Sequence, residues 1–326
     1  MGENISLRRL RQDRWIRELV RENRVSVEQM IQPYFVVEVI KSREAIPGLT
    51  GTFRDTSDSL AQQIESDIEK GVHKALLFGV PSAKSEKNFD PSFTAREIEK
   101  LKKRFGKNLW VSADVCLCSS TSHGQCGILN DVGDHVQNGA TVAELAKTAV
   151  TYAKAGADCI APSDMMDGRI GAIREALDAA GLERIVLMSY SAKFNSKFYG
   201  PFRVAADSVP QSDMALKDRA TYQIDSPNFR DALESSLRDA EEGADILMVK
   251  PGLPYLDVLA KLSSEITKPW AVYEVSGEFA SIELMAREGL MNGPAAHVEA
   301  WTAFVRAGAQ IIISYGARYA QEWLKI

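Results

Sequence analysis

The chain has 326 residues, 45% hydrophobic and 25% charged, with a formal net charge of −5. That balance is typical of a globular enzyme, and the acidic excess argues against a nucleic-acid binder. No apolar run approaches the roughly 18 residues needed to span a bilayer, so no membrane association is expected. The length suits one large α/β barrel or two ordinary domains.

The first 30 or so residues are rich in arginine (MGENISLRRLRQDRWIREL) and lack the apolar stretch of a signal peptide. The chain is therefore expected in the cytoplasm. This segment reads equally well as an oligomerisation arm, residues 1–30, or as a solvated tail. Eight apolar runs follow: 32-QPYFVV, 74-KALLFGV, 109-LWVSADV, 157-ADCIAPS, 184-RIVLMSY, 244-ADILMVK, 269-PWAVYEV and 309-AQIIISY. Most are continuous rather than alternating, as strands buried on both faces require. Helical segments separate them. Thr94 with Glu97 and Thr141 with Glu144 read as capping boxes that open two of these helices. Gly71, Gly156, Gly243 and Gly308 stand just before strands, where left-handed helix ends favour glycine. Eight strands alternating with helices predict an α/β (β/α)8 TIM barrel over residues 31–326 with an extended or helical N-terminal arm. Two doubly wound domains are the alternative, but no linker-like stretch divides the chain.

Two connections are long. One follows the third run, and the other covers about 194–227, mixing Arg, Lys, Phe and Tyr as an active-site lid would. In such a barrel the chemistry sits at the C-terminal ends of the strands. Those ends carry Asp114, Cys116 and Cys118; Ser163, Asp164 and Asp167; Tyr190 and then Lys193; Lys250; Ser276; and Tyr315. A lysine closing a buried apolar strand must be paired or neutral. Lys193 on the neighbouring strand is the second cation that would depress Lys250, the arrangement expected for Schiff-base chemistry on a ketone or aldehyde. Arg203, Lys217 and Arg219 in the lid suit carboxylate recognition, as do Ser276 and Tyr315. A small substrate with a carbonyl and a carboxylate follows, in one copy or two. Read singly, each lysine would simply snorkel to a surface carboxylate.

Three of the four cysteines lie in 114-DVCLCSSTSHGQC-126. In a reducing compartment such a cluster reads as metal-binding or reactive. Cys116, Cys118 and Cys126 give zinc three ligands and leave one position open, the catalytic pattern. His123 is a candidate fourth ligand, and Cys159 is expected to be a packed core thiol.

These motifs resemble the porphobilinogen synthase (δ-aminolevulinic acid dehydratase) family over nearly the whole chain: DVCLC…TSHGQCGIL, APSDMMDGR, MSYSAKFNSKFYGPFR, DRATYQ, GADILMVKPG, YEVSGEF and IIISY. The resemblance implies a barrel with an N-terminal arm, assembled as a homo-octamer, that condenses two molecules of 5-aminolevulinate into porphobilinogen in tetrapyrrole biosynthesis. It implies Lys193 as the Schiff base of the acetyl-side substrate and Lys250 as that of the propionyl side. Arg203 and Arg219 would hold the acetyl-side carboxylate, Ser276 and Tyr315 the propionyl-side carboxylate, and Asp114 and Ser163 would lie near the propionyl-side amine. Cys116, Cys118 and Cys126 match the zinc-dependent branch; other branches carry aspartates there. Gln125 departs from the histidine of many members, and the lid is longer than in some relatives. Some bacterial members bind an allosteric Mg2+ through a glutamate on the helix before the sixth strand. Ser235 stands there with Glu234 beside it, which weakens the expectation of that ion. Two further readings share these residues: a Schiff-base aldolase with a structural zinc, and a metal-responsive scaffold without turnover.

Overall fold

The computed structural model describes residues 7–211 and 215–325. Ten strands form one sheet: β1 (Met30–Val37), β2 (Glu44–Ala45), β3 (Phe53–Asp55), β4 (Lys74–Val80), β5 (Trp110–Val115), β6 (Cys159–Pro162), β7 (Val186–Lys193), β8 (Ile246–Lys250), β9 (Trp270–Glu274) and β10 (Ile311–Ser314). Eight of them, β1 and β4 to β10, pair in parallel in chain order, and β10 returns to β1 through Met30↔Ile312 and Ile31↔Ile313. The sheet is a closed (β/α)8 barrel. All eight apolar runs read from the sequence are its strands.

Closure explains the composition of these runs. Helices cover the outside of the barrel and side chains fill its inside, so neither face of a strand meets water. Met30–Val37 is buried at every residue, as is Trp270–Glu274. The upper half of β1 pairs with β3 instead of β10, with Phe35 opposite Arg54, and β3 in turn pairs with the two-residue β2. This annex covers the edge that the short β10 leaves open.

The helix ends follow the sequence reading in part. Gly71, Gly156, Gly243 and Gly308 all have φ between +84° and +106°, a region that a side chain disfavours. The two capping boxes do not form. The helix Ser92–Phe105 begins two residues before Thr94, and the helix Asn138–Lys154 begins three residues before Thr141. Thr141 is used otherwise: its hydroxyl donates to the Gln137 carbonyl and accepts from the Ile128 amide. Both threonines point inward and are buried, so packing rather than capping fixes them. A true capping box joins Thr56 and Ser59 ahead of the helix Ser57–Glu69.

Residues Leu7–Arg11 and Arg14–Leu19 form two short helical turns with no buried residue. Leu7, Leu10, Trp15 and Leu19 are exposed there. Among the described residues no helix is long and apolar enough to cross a membrane.

Candidate active site

Lys193 ends β7 and Lys250 ends β8, and the two are register partners across the parallel pair. The fifth predicted strand stops at Tyr190 in the sequence reading, but β7 runs on through an irregularity between Ser189 and Ala192 and so carries Lys193 itself. Both lysines are at most 5% exposed. The Lys193 ammonium donates to the Ser163 carbonyl at the end of β6. Lys250 has a different environment. Its Nζ lies 4.1 Å from the ring centre of Tyr273, 5.0 Å from those of Tyr190 and Phe202, and 5.5 Å from that of Tyr199. Burial in this aromatic cage, together with the charge of Lys193, holds its pKa well below the usual lysine value. The aromatic rings are one part of the site that the sequence reading missed. Only Tyr190 was on a strand end, and nothing in the spacing of Tyr199, Phe202 and Tyr273 marks them as converging.

Asp114, on β5, faces the same interior. Burial raises its carboxyl to about 6, while Lys193, Ser163 and Lys250 pull the other way. Tyr273 donates to the Tyr315 hydroxyl at 3.2 Å, which joins Tyr315 to the cage around Lys250. Ser276 opens the helix Ser276–Arg287, where its hydroxyl accepts from the Phe202 amide at 3.0 Å.

The segment expected as a lid, about 194–227, is tied down beside both lysines. Phe194 N–H donates to the Lys250 carbonyl at 2.9 Å, and Ile224 N–H donates to the Lys193 carbonyl at 3.1 Å. A short helix, Gly200–Ala205, carries Arg203. Arg203 is half-buried, its Nε has no partner, and burial and the nearby Arg219 lower its pKa. Arg219 is buried, and its Nη2 donates to the carbonyls of Gly124 and Ser208, both at 2.9 Å. Part of the Arg219 fork is thus already committed to the protein. Lys217 is exposed. Gln223, which the sequence reading did not single out, is buried with both amide atoms unpartnered. A cavity of about 670 Å³ lies between lid residues 220–225, the loop after β6 and the helix Phe229–Glu241. Neither lysine lines it, so it is a flank of the lid and not the chamber around the amines.

The thiol loop leaves β5 directly. Cys116, Cys118 and Cys126 bring their sulfurs within 4.8 Å of one another. Zinc–thiolate bonds of about 2.3 Å at tetrahedral angles need sulfurs about 3.8 Å apart, so the donor set fits a soft cation with a fourth position free. Hydrogen bonds from Cys116 and Cys118 hold Cys126 well below the usual thiol value, and Arg219 and Lys193 add to this. His123 does not join the cluster: its Nδ1 accepts from the Gln125 amide at 3.1 Å, and burial lowers its pKa. Cys159 is a core thiol, as expected, pushed up to about 12 by burial.

Asp164 and Asp167, read at a strand end, are drawn into a structural network instead. Arg169 is fully buried and pairs with Asp239 at 3.0 Å, with Asp164 at 3.7 Å. Asp167 pairs with Arg238, whose guanidinium also donates to the Ser235 hydroxyl and to Asp239. The Ser235 position is therefore served by a cation belonging to the chain itself.

Fold and site define a (β/α)8-barrel enzyme with its amines and thiols gathered at the C-terminal strand ends. The profile of the delta-aminolevulinic acid dehydratase family matches residues 4–323. A protein of that name from Bacillus subtilis is 40% identical over 321 residues, 97% of each chain. One from Methanothermus sociabilis is 42% identical over 314 residues, 95% of this chain and 96% of its own. A solved delta-aminolevulinic acid dehydratase (porphobilinogen synthase) from Toxoplasma gondii, in complex with the reaction product porphobilinogen, is 38% identical. It superposes with a TM-score of 0.93 over 98% of this chain and 91% of that one. A dihydropteroate synthase from Xanthomonas albilineans, 15% identical with a TM-score of 0.51, shares the fold alone. This chain belongs to the delta-aminolevulinic acid dehydratase family.

Proposed function

We propose that this enzyme condenses two molecules of 5-aminolevulinate into porphobilinogen through imines on Lys193 and Lys250, with a zinc ion held by Cys116, Cys118 and Cys126. The carrying observation is the pair of buried amines at adjacent strand ends, with the pKa of Lys250 lowered by burial and by the charge of Lys193. The relative from Toxoplasma gondii, solved with porphobilinogen, supports the product.

Imine formation needs a neutral amine, which burial and the charge of Lys193 favour at Lys250. Each lysine attacks a ketone carbon and releases one water, which accounts for the two waters lost. Both lysine amines are returned as the carbon–carbon and carbon–nitrogen bonds between the two substrates form. Lys193 takes the acetyl-side substrate and Lys250 the propionyl-side one. Asp114, titrating near 6, is matched to accept and return a proton at the substrate amine beside Ser163. Arg203 and Arg219 receive the acetyl-side carboxylate. Ser276 and Tyr315 receive the propionyl-side carboxylate. Two tethered substrates react as one molecule, replacing a bimolecular encounter, and the closed lid keeps water from the imines. When bound, zinc would polarise a carbonyl or amine of the acetyl-side substrate. The reading includes no magnesium ion at Ser235, where Arg238 already sits.

The same reading assigns the arm, residues 1–30, to a homo-oligomer of the octameric kind in the cytoplasm. Its exposed Leu7, Leu10, Trp15 and Leu19 support this.

Porphobilinogen formation from 5-aminolevulinate, followed with an aldehyde reagent for pyrroles, tests the activity. Turnover that stops on chelation and returns with zinc is expected; no product from zinc-loaded protein overturns the reading. Borohydride should fix 5-aminolevulinate on Lys250. Fixing a sugar phosphate instead would indicate an aldolase.

A further inference from the structure

We propose that Gln125 is a latch that couples the thiol loop to the lid, so that order in one is transmitted to the other. Gln125 is 1% exposed and both ends of its amide are satisfied by the lid: Nε2 donates to the Leu216 carbonyl at 2.9 Å, and Oε1 accepts from the Tyr222 hydroxyl at 2.7 Å. The Tyr222 hydroxyl in turn accepts from the Cys126 amide at 3.1 Å. The backbone of Gln125 faces the other way. Its N–H donates to His123 Nδ1 at 3.1 Å, and its carbonyl accepts from the Thr121 hydroxyl at 2.8 Å. One residue thus holds two lid positions, 216 and 222, while its own backbone is locked into the loop that carries the thiols.

The contact is close along its length. Gly124 has φ +72°, and a Cβ there would meet the Val209 carbonyl oxygen at 2.5 Å. The two backbones pass each other with no room for a side chain. The latch also calls for a particular side chain. It must donate to a carbonyl and accept from a hydroxyl from the same planar group, which an amide does and a carboxylate does not. Losing it would strand the buried Leu216 carbonyl and leave the Tyr222 hydroxyl proton without its acceptor, which costs more than the bonds are worth when made. Gln125 touches neither lysine in this arrangement; it is a positioning residue, and it acts through Cys126 and the lid.

The inference rests on the proposed reading for the meaning of the lid, but its first test, hydrogen exchange, does not. Hydrogen exchange on the unliganded protein compares wild type with Gln125→Ala, Gln125→Glu and Tyr222→Phe. Amides of residues 215–224 should exchange about ten-fold faster in Gln125→Ala. Gln125→Glu keeps the acceptor and should fall between. The effects of Gln125→Ala and Tyr222→Phe should be non-additive, and exchange in β7 and β8 should be unchanged. Equal lid exchange in all four proteins overturns the latch, as does acceleration spread evenly over the barrel. A second readout is cadmium binding, followed by thiolate charge-transfer absorbance. By reciprocity, levulinate, a keto acid without the amine, should tighten cadmium binding in wild type and lose that effect in Gln125→Ala. Coupling present in wild type and equally strong in the variant overturns the proposal; no coupling in wild type counts against the functional reading instead. Failure to fix 5-aminolevulinate with borohydride would sink the functional reading and leave the exchange result standing.

Discussion

Lys193 and Lys250 face each other across a single parallel register position at the ends of β7 and β8. Their mutual repulsion is therefore built into the barrel's hydrogen bonding and does not depend on a mobile loop. Removing one charge should alter the other amine. In Lys193→Met, the neighbouring cation is gone, so the pKa of Lys250 rises. The neutral amine is the reactive form, so borohydride trapping at Lys250 increases with pH through that pKa. The trapping profile, read by mass spectrometry of the Lys250 peptide, is expected to move to higher pH in the variant. An unmoved profile would show that burial alone tunes Lys250.

Asp114 gives a second pH signature. Its carboxyl is raised to about 6, first by burial, so it ionises as pH passes through that region. If it accepts a proton in turnover, kcat rises through pH 6. Asp114→Asn should lower kcat by roughly 100-fold or more and flatten that limb. A variant that keeps the limb would assign it to another group.

Arg169 carries stability and not chemistry. Its guanidinium is wholly buried between Asp239, Asp164 and the Ser189 hydroxyl. Arg169→Met leaves buried Asp164 without its cation and Asp239 with Arg238 alone, which costs on the order of 3–5 kcal/mol. Denaturant unfolding at neutral pH should show that loss. A change of under about 1 kcal/mol would mean that water or a protonated Asp164 makes up for the lost charge.

His297 should make stability fall in alkaline solution. Burial alone would lower its pKa, but its hydrogen bonds to Glu274 and Glu283 outweigh this and raise it to about 9. A raised pKa means that the folded state holds the proton more tightly than the unfolded state. The stabilisation is full below about 6.5, the unfolded value, and disappears as pH rises through 9. Its size is on the order of 3 kcal/mol at most. Melting temperatures between pH 6.5 and 9.5 should fall more steeply for wild type than for His297→Gln; parallel slopes would contradict the assignment.

The sequence carried the barrel because closure forces continuous apolar runs, and each of the eight runs became a strand. It carried Lys193, Lys250 and the three thiols because residues at strand ends keep their order when the barrel closes. The aromatic cage was not legible. Tyr199 and Phe202 come from the lid and Tyr273 from β9, and only the closed barrel brings them over one amine. Thr94 and Thr141 misled for the opposite reason: a local pattern that suits a helix start was overridden by burial. Asp164 looked like chemistry until its partner Arg169, five residues on, folded back onto it. Gln125 could be seen as unusual, but its two lid partners lie 91 and 97 residues away in the chain.

The three thiols come from one eleven-residue stretch on a loop, while the two amines stand on strands of the barrel wall. The two halves of the chemistry are therefore separable in inheritance. A few local substitutions within 116–126 would change which ion that loop can hold without altering the frame that aligns the amines.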